Sequence, residues 1–115
     1  MIYTYTFDLL RDNDAGNRVS YLNYEHTLAL GGVDPDNYFT ADGGTVEGRK
    51  PQEACEKLYE IYNRANRPNG YHGRSMCVSD IVNLWDNTQD PPVKTSWFCD
   101  SLGFVQIDEN GNRIE

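Results

Sequence analysis

Tyr71-His72-Gly73-Arg74-Ser75-Met76-Cys77-Val78-Ser79-Asp80-Ile81-Val82-Asn83-Leu84-Trp85 changes character near its midpoint. Gly73 permits backbone conformations that a residue with a Cβ resists. Ser79-Asp80 places two side-chain oxygens where they accept hydrogen bonds from nearby backbone N–H groups and close a turn. Ile81, Val82, Leu84 and Trp85, with only Asn83 polar among them, then have the β-branched and aromatic make-up of a strand. Downstream, Ser96 to Ile107 offers two further short strands broken at Leu102-Gly103. A strand entered from a turn and followed by two more predicts an antiparallel meander.

Working upstream, Leu58-Tyr59-Glu60-Ile61-Tyr62-Asn63 and Pro68 end a helical pattern before this stretch. Taken together, Gly73-Arg74-Ser75-Met76-Cys77-Val78-Ser79-Asp80-Ile81-Val82 and the later Trp97-Phe98-Cys99-Asp100-Ser101-Leu102-Gly103-Phe104 resemble the YodL-like family. Its signature runs roughly G-(H/R)-S-L-S-V-S-D-V-V, then an aromatic pair, C/V-D-S and G-F. Nearly the whole chain is covered. Met76 and Cys77 depart from the Leu and Ser that the family more often carries, and Asp86 to Pro92 is an acidic insertion between the two blocks. The resemblance implies kinship with accessory proteins of conjugative elements and phages of Gram-positive bacteria. It supplies no catalytic residues to carry over.

The helix itself is written in the sequence. Pro51 suits a first turn and Glu53 places negative charge near the N-terminal dipole. Ala54, Leu58, Ile61, Tyr62 and Ala65 form one apolar stripe on a helix predicted over residues 52–65. Glu53 with Lys57 and Glu60 with Arg64 stand as i,i+4 ion pairs on its other face. At the N-terminus, Met1, Tyr3, Tyr5 and Phe7 alternate with smaller residues and predict a strand. Asp8 to Asn17 reads as a loop: counting Asp12 as the first position of a calcium loop puts Asn17 where glycine belongs and Asn23 where glutamate belongs. Arg18 to Leu22 reads either as a second short strand or as the entry to a helix near Tyr21 to Leu30, since Tyr21, Tyr24 and Leu28 fall at helical spacing before Gly31-Gly32. Tyr38 to Ala41 and Thr45 to Glu47, separated by Asp42-Gly43-Gly44, read as a hairpin. Asn110-Gly111 is a turn able to return Arg113 and Ile114 to the last strand.

The fold expected is therefore α+β in one domain over residues 1–115: a small, mostly antiparallel sheet from residues 1–7, 38–46 and 81–107, packed against one main helix. A chain of 115 residues buries enough surface for one core without staples. Cys55, Cys77 and Cys99 leave one thiol over in any disulfide scheme and have no C-x-x-C spacing, which points to a reduced, cytoplasmic setting. No apolar run is long enough to span a bilayer, and Met1 to Phe7 lacks the basic flank of a signal peptide.

Charge narrows the functional classes. The net charge is -8, and it is unevenly placed: residues 1–47 carry eight acids against Arg11 and Arg18, whereas residues 48–75 carry six cations against three acids. Such a field opposes direct nucleic-acid binding and favours a basic protein partner, with plain solubility as the alternative. The expected partner-binding residues are Asp34, Asp36, Asp42 and Glu47 around the hairpin and Asp86 and Asp90 in the later loop, with Tyr38 and Phe39 as apolar anchors. The expected role is a non-enzymatic module of a mobile element that inhibits a basic nucleic-acid-handling host protein such as a nuclease, in the manner of anti-CRISPR or anti-restriction proteins, with DNA mimicry as one mode of action. A second reading gives Arg64, Arg67 and Arg74, interleaved with Tyr71 and His72, a nucleic-acid contact. A third is an enzyme built on His72, Asp80 or Asp100. Against it, Ser75, Cys77 and His72 are too close in sequence for a triad, and Ser79-Asp80 and Asp100-Ser101 have the make-up of turn caps. Lone His26, the glycine pairs and the cysteines supply no metal or phosphate motif, so no cofactor is expected.

Overall fold

The computed structural model describes residues 1–114 and has the expected α+β architecture. Five strands, β1 (Ile2–Leu10), β2 (Tyr38–Glu47), β3 (Ile81–Asp86), β4 (Val93–Asp100) and β5 (Gly103–Ile107), form one antiparallel sheet in the order β2-β1-β3-β4-β5. Two six-residue helices, α1 (Asp14–Val19) and α2 (Tyr24–Ala29), lie between β1 and β2, and α3 (Pro51–Tyr62) carries the chain over β1 from β2 to β3.

Alternation decides which side of the sheet is core. Tyr3, Tyr5, Phe7 and Leu9 of β1 all point to the inner face and are buried, with Val82, Leu84 and Trp97 beside them. Ala54, Cys55, Leu58 and Tyr62 of α3 close that layer from above. Each fully buried side chain of this size contributes about 1.5–3 kcal/mol over its exposed state. Met76, the departure from leucine, is fully buried in the same cluster, where its unbranched thioether fills an irregular gap. β1 runs three residues past the expected Phe7 because Asp8 falls on the outer face, where the Thr40 and Asn83 side chains donate to it, and Leu9 resumes the inward pattern.

A second, smaller core covers part of the outer face. Tyr24 of α2, Val33, Tyr38, Ile81, Phe98 and Ile107 form it, with Leu10 and Val105 at its edge. The tail helps to close it as the Asn110-Gly111 turn predicts: Arg113 bridges Ile107, and the Arg113 N–H donates to Tyr24 Oη at 2.9 Å.

Several local expectations are corrected. No hairpin exists at Asp42-Gly43-Gly44: β2 is one ten-residue strand running the length of β1, with a bulge opposite Phe7/Asp8. Gly43 is there for close approach, since a Cβ would lie 2.8 Å from the Tyr5 carbonyl oxygen. Gly73 likewise serves contact rather than positive φ, because a Cβ would meet the Tyr71 hydroxyl at 2.4 Å; the left-handed residue of that stretch is Ser79, at φ 84°. The main helix stops at Tyr62, short of Ala65: the Asn63 amide donates to the Tyr59 and Met76 carbonyls and ties the helix end to the following loop, and Glu53 pairs with Arg49 rather than Lys57. Finally, the loop expected over residues 8–17 contains α1, started by Asn13, whose side chain accepts from Gly16 N–H. The short helix expected near Tyr21 to Leu30 is present as α2 ahead of Gly31-Gly32, but it begins at Tyr24, and Tyr21 (φ 64°) and Leu28 are exposed rather than on its buried side.

Candidate functional site

The loop from Tyr71 to Asp80 is built around a buried carboxylate. Asp80 has no exposed surface, and it accepts from Arg74 Nη2 at 2.6 Å, Arg74 Nη1 at 3.2 Å and the Cys77 backbone N–H at 2.7 Å. Burial pushes its pKa up to about 6, and Arg74 and the Cys77 N–H pull in the other direction. Asp80 is thus a turn cap, as the sequence suggests, and also half of an ion pair that the sequence does not reveal. Its neighbour Ser79 is held from both sides: the Tyr38 hydroxyl donates to its carbonyl at 2.5 Å, and its Oγ accepts from the Tyr21 N–H at 3.0 Å. Two non-glycine residues with positive φ, Tyr21 and Ser79, therefore face each other beside Arg74. Strain of this kind, about 1–3 kcal/mol per residue, persists where surrounding contacts over-determine the backbone.

The three arginines of the second reading are engaged within the chain. Arg64 pairs with Glu60 at 2.5 Å on the surface, Arg67 donates to the Arg64 and Gly73 carbonyls and to Ser75 Oγ, and Arg74 holds Asp80. The groups considered for catalysis are similarly placed. His72 is exposed, the Cys77 thiol donates to the Ser75 carbonyl at 3.4 Å, and Asp100 Oδ1 accepts from the Tyr24 and Ser101 N–H groups. No cluster of three metal-ligating side chains occurs among the described residues.

The predicted acids do not form one patch, because the hairpin meant to gather them is absent. Asp34 and Asp36 flank Pro35 at the start of β2, where Asp34 caps a 3₁₀ turn by accepting from Asp36 N–H at 3.0 Å. Glu47 lies at the other end of β2, opposite Ile2, and Asp86 stands at that same end of the sheet, opposite Tyr3. Asp86 is held by Thr88 and Asp90 is exposed in the turn that follows. Asp42 is half-buried and accepts from the Tyr62 hydroxyl at 2.6 Å, in a chain that continues to the Tyr5 hydroxyl at 2.6 Å. Burial and the Asp42 carboxylate push the Tyr62 pKa far up, so this chain carries its protons at any physiological pH. Of the two proposed anchors, Tyr38 is buried and Phe39 is 42 % exposed.

What the sequence could not assemble is the uncovered half of the outer sheet face. Thr4, Thr6 and Asp8 of β1, Thr40 and Thr45 of β2, Asn83 and Trp85 of β3 and Lys94 and Ser96 of β4 share it by register. Asn83, only 8 % exposed, ties three strands together: its amide donates to Thr6 Oγ1 at 3.0 Å and Asp8 Oδ2 at 2.7 Å, and its oxygen accepts from Ser96 Oγ at 2.7 Å. Lys94 lies over the Trp85 ring at 5.5 Å. Where this platform meets the smaller core, Asp8, Asp108, Glu109 and Pro35 line one cleft with Asn83, Lys94 and Ser96. Acids a hundred positions apart in the chain thus converge, and the only signal in the sequence was the polar side chains at alternate positions of apolar strands.

An antiparallel five-stranded sheet backed by one helix, with a bidentate arginine–aspartate pair fixing the loop into its central strands, defines a small α+β domain. The YodL-like domain model matches residues 4–109, so the chain belongs to the YodL-like domain family. Neither the curated proteins nor the solved structures contain a significant match to it. No helix among the described residues is long and apolar enough to cross a membrane.

Proposed function

We propose that this chain is a non-enzymatic protein-interaction module whose outer sheet face receives a basic segment of a partner protein. The observation that carries the reading is the convergence of Asp8, Asp108 and Glu109, beside the Asp34–Asp36 turn, on a cleft floored by the cross-linked polar side chains of three strands. A floor already hydrogen-bonded to itself is pre-organised, so little ordering opposes binding, and the surrounding carboxylates raise the association rate of a cationic partner. Trp85, half-buried on the same face toward the Asp86 end of β3, offers an aromatic contact beside the cleft. Phe39, Asp42, Glu47, Asp86 and Asp90, named from the sequence as partner-binding, are secondary in this reading because they do not line this cleft.

Within that reading the partner is a basic, nucleic-acid-handling host protein such as a nuclease, and the chain is a cytoplasmic inhibitor from a mobile element, of the anti-CRISPR or anti-restriction type. Carboxylates set at the mouth of a phosphate-binding channel replace the phosphates it holds, which is the physical content of DNA mimicry. The internal engagement of Arg64, Arg67 and Arg74 makes the nucleic-acid reading the weaker one.

Capture from a bacterial lysate with the wild type and two charge variants tests the proposal. Asp34→Asn, Asp36→Asn, Asp108→Asn and Glu109→Gln together neutralise the cleft rim; Glu47→Gln, Asp86→Asn and Asp90→Asn neutralise the far end of the sheet. A specific basic partner lost only with the first variant is the expected result. A partner retained by the first and lost by the second moves the interface to the far end and refutes this assignment.

A further inference from the structure

Arg74 uses only part of its guanidinium within the protein. Its Nη1 donates to the Ser75 carbonyl at 3.0 Å and to Asp80 Oδ2 at 3.2 Å, and its Nη2 donates to Asp80 Oδ1 at 2.6 Å. Of the five N–H groups on the planar fork, this leaves the Nε–H and the second Nη2–H, and neither has an acceptor among the described residues. Those two bonds run parallel along one edge of the group, which is the geometry that accepts two oxygens of one oxyanion. Asp80 holds the other edge from a fully buried position, so the guanidinium is fixed in orientation.

Arg74 also lines a cleft of about 490 Å³ with Leu10, Asp12, Asn17, Ser20, Tyr21 and Ser79. The Tyr21 ring lies 5.2 Å from Arg74 Cζ, and the Ser79 hydroxyl accepts from the Tyr21 N–H, so its own proton remains available to donate. Tyr21 and Ser79, two of the three non-glycine residues with positive φ, form this wall. Asp12, held by the Asn17 amide at 3.1 Å, adds a negative charge to the same rim.

We propose that this cleft is a carboxylate-binding site, with the ligand's two oxygens on the Nε–H and Nη2–H of Arg74. Charge selects carboxylate over phosphate. Asp80 already offsets the arginine and Asp12 adds a negative charge to the rim, so the free edge offers bidentate geometry without surplus positive charge. A dianion is repelled more strongly than a monoanion, and the anion must be held by the paired hydrogen bonds. Asp12 further favours ligands that carry a cationic group beside the carboxylate, whether a free zwitterionic amino acid or a larger molecule presenting the same pair. The inference is independent of the outer-sheet reading, since no residue of this cleft lines the acidic one.

The test is a titration of the full ¹⁵N-labelled chain with acetate, glycine and inorganic phosphate at matched ionic strength, following the Arg74 Nε–H resonance. Acetate and glycine should move that resonance saturably, glycine at lower concentration, and phosphate should bind more weakly. Comparing free glycine with N-acetylglycine separates recognition of the zwitterion from recognition of the carboxylate alone. Arg74→Lys, which keeps a cation beside Asp80 but has no planar fork, should weaken acetate binding by about tenfold or more, with the change read from neighbouring backbone resonances. An Arg74 resonance unmoved by every probe overturns the site, as does undiminished acetate binding by folded Arg74→Lys. Phosphate binding more tightly than acetate overturns the assignment to carboxylates.

Discussion

Replacing Arg74 by methionine should destabilise the fold by an amount that depends on pH. Asp80 receives three hydrogen bonds, and two of them come from Arg74. Removing the arginine leaves a fully buried carboxylate with the Cys77 N–H alone, and breaking a buried ion pair from one side costs about 3–5 kcal/mol. Burial already lifts the Asp80 pKa from 3.8 to about 6 with Arg74 in place. A folded-state pKa above the unfolded value means that the protonated carboxyl fits the fold better. Its contribution is therefore fully present below about pH 4 and is lost as pH rises through 6, roughly 3 kcal/mol over the two units. Without Arg74 the folded pKa rises further, so the loss continues to higher pH. Urea denaturation of wild type and Arg74→Met at pH 5.5, 6.5 and 7.5 should thus give a stability difference that widens with pH by more than 1 kcal/mol. Other groups titrate alike in both chains and cancel in the difference. A difference that is flat with pH, or below about 1 kcal/mol throughout, would refute the view of Asp80 as a buried charge held by Arg74. Adding Asp80→Asn to the methionine variant should recover much of the loss at pH 7.5, because no charge then remains to be buried.

Tyr62→Phe should cost about 1–2 kcal/mol in chemical denaturation, because the Tyr5 and Asp42 oxygens lose the hydroxyl that joins them; an unchanged midpoint would mean that this chain of bonds contributes nothing. Gly43→Ala should destabilise by about 1–3 kcal/mol through the clash with the Tyr5 carbonyl, whereas the hairpin first expected there would tolerate alanine no better or worse than other turn positions. In native alkylation followed by mass spectrometry, half-buried Cys77 should be the first of the three thiols to react: Cys55 and Cys99 are buried, and burial raises both thiol pKa values, that of Cys99 to about 12.

The elements legible in the sequence were those whose periodicity is carried by one side of one element. The Tyr3-Tyr5-Phe7 alternation and the Leu58-Tyr62 stripe each bury a repeating apolar face. The strand from Ile81 was read instead from its β-branched and aromatic make-up and is buried on both faces. All three elements exist, with shifted ends only for the first two. Asp42-Gly43-Gly44 misleads because glycine has two uses, positive φ in a turn and close approach in a sheet, and only the neighbouring strand tells them apart. Tyr38 misleads for a related reason: beside a supposed turn it reads as an exposed anchor, but its hydroxyl reaches Ser79 forty-one residues later. The acidic cleft was hidden more deeply. Asp8 read as the start of a loop and Asp108-Glu109 as the run into the Asn110-Gly111 turn, and only the sheet order brings them together.

The central claim, that a basic partner docks on the outer sheet face, is tested most directly by mapping chemical shifts on the labelled chain as the captured partner is added. The side-chain amide of Asn83, the indole N–H of Trp85 and the backbone resonances of Asp8, Ser96, Asp108 and Glu109 should shift together, and the shifts should shrink as salt is raised. Shifts confined to residues 64–74, or to the Glu47 and Asp86 end of the sheet, with Asn83 and Trp85 unmoved, would contradict it.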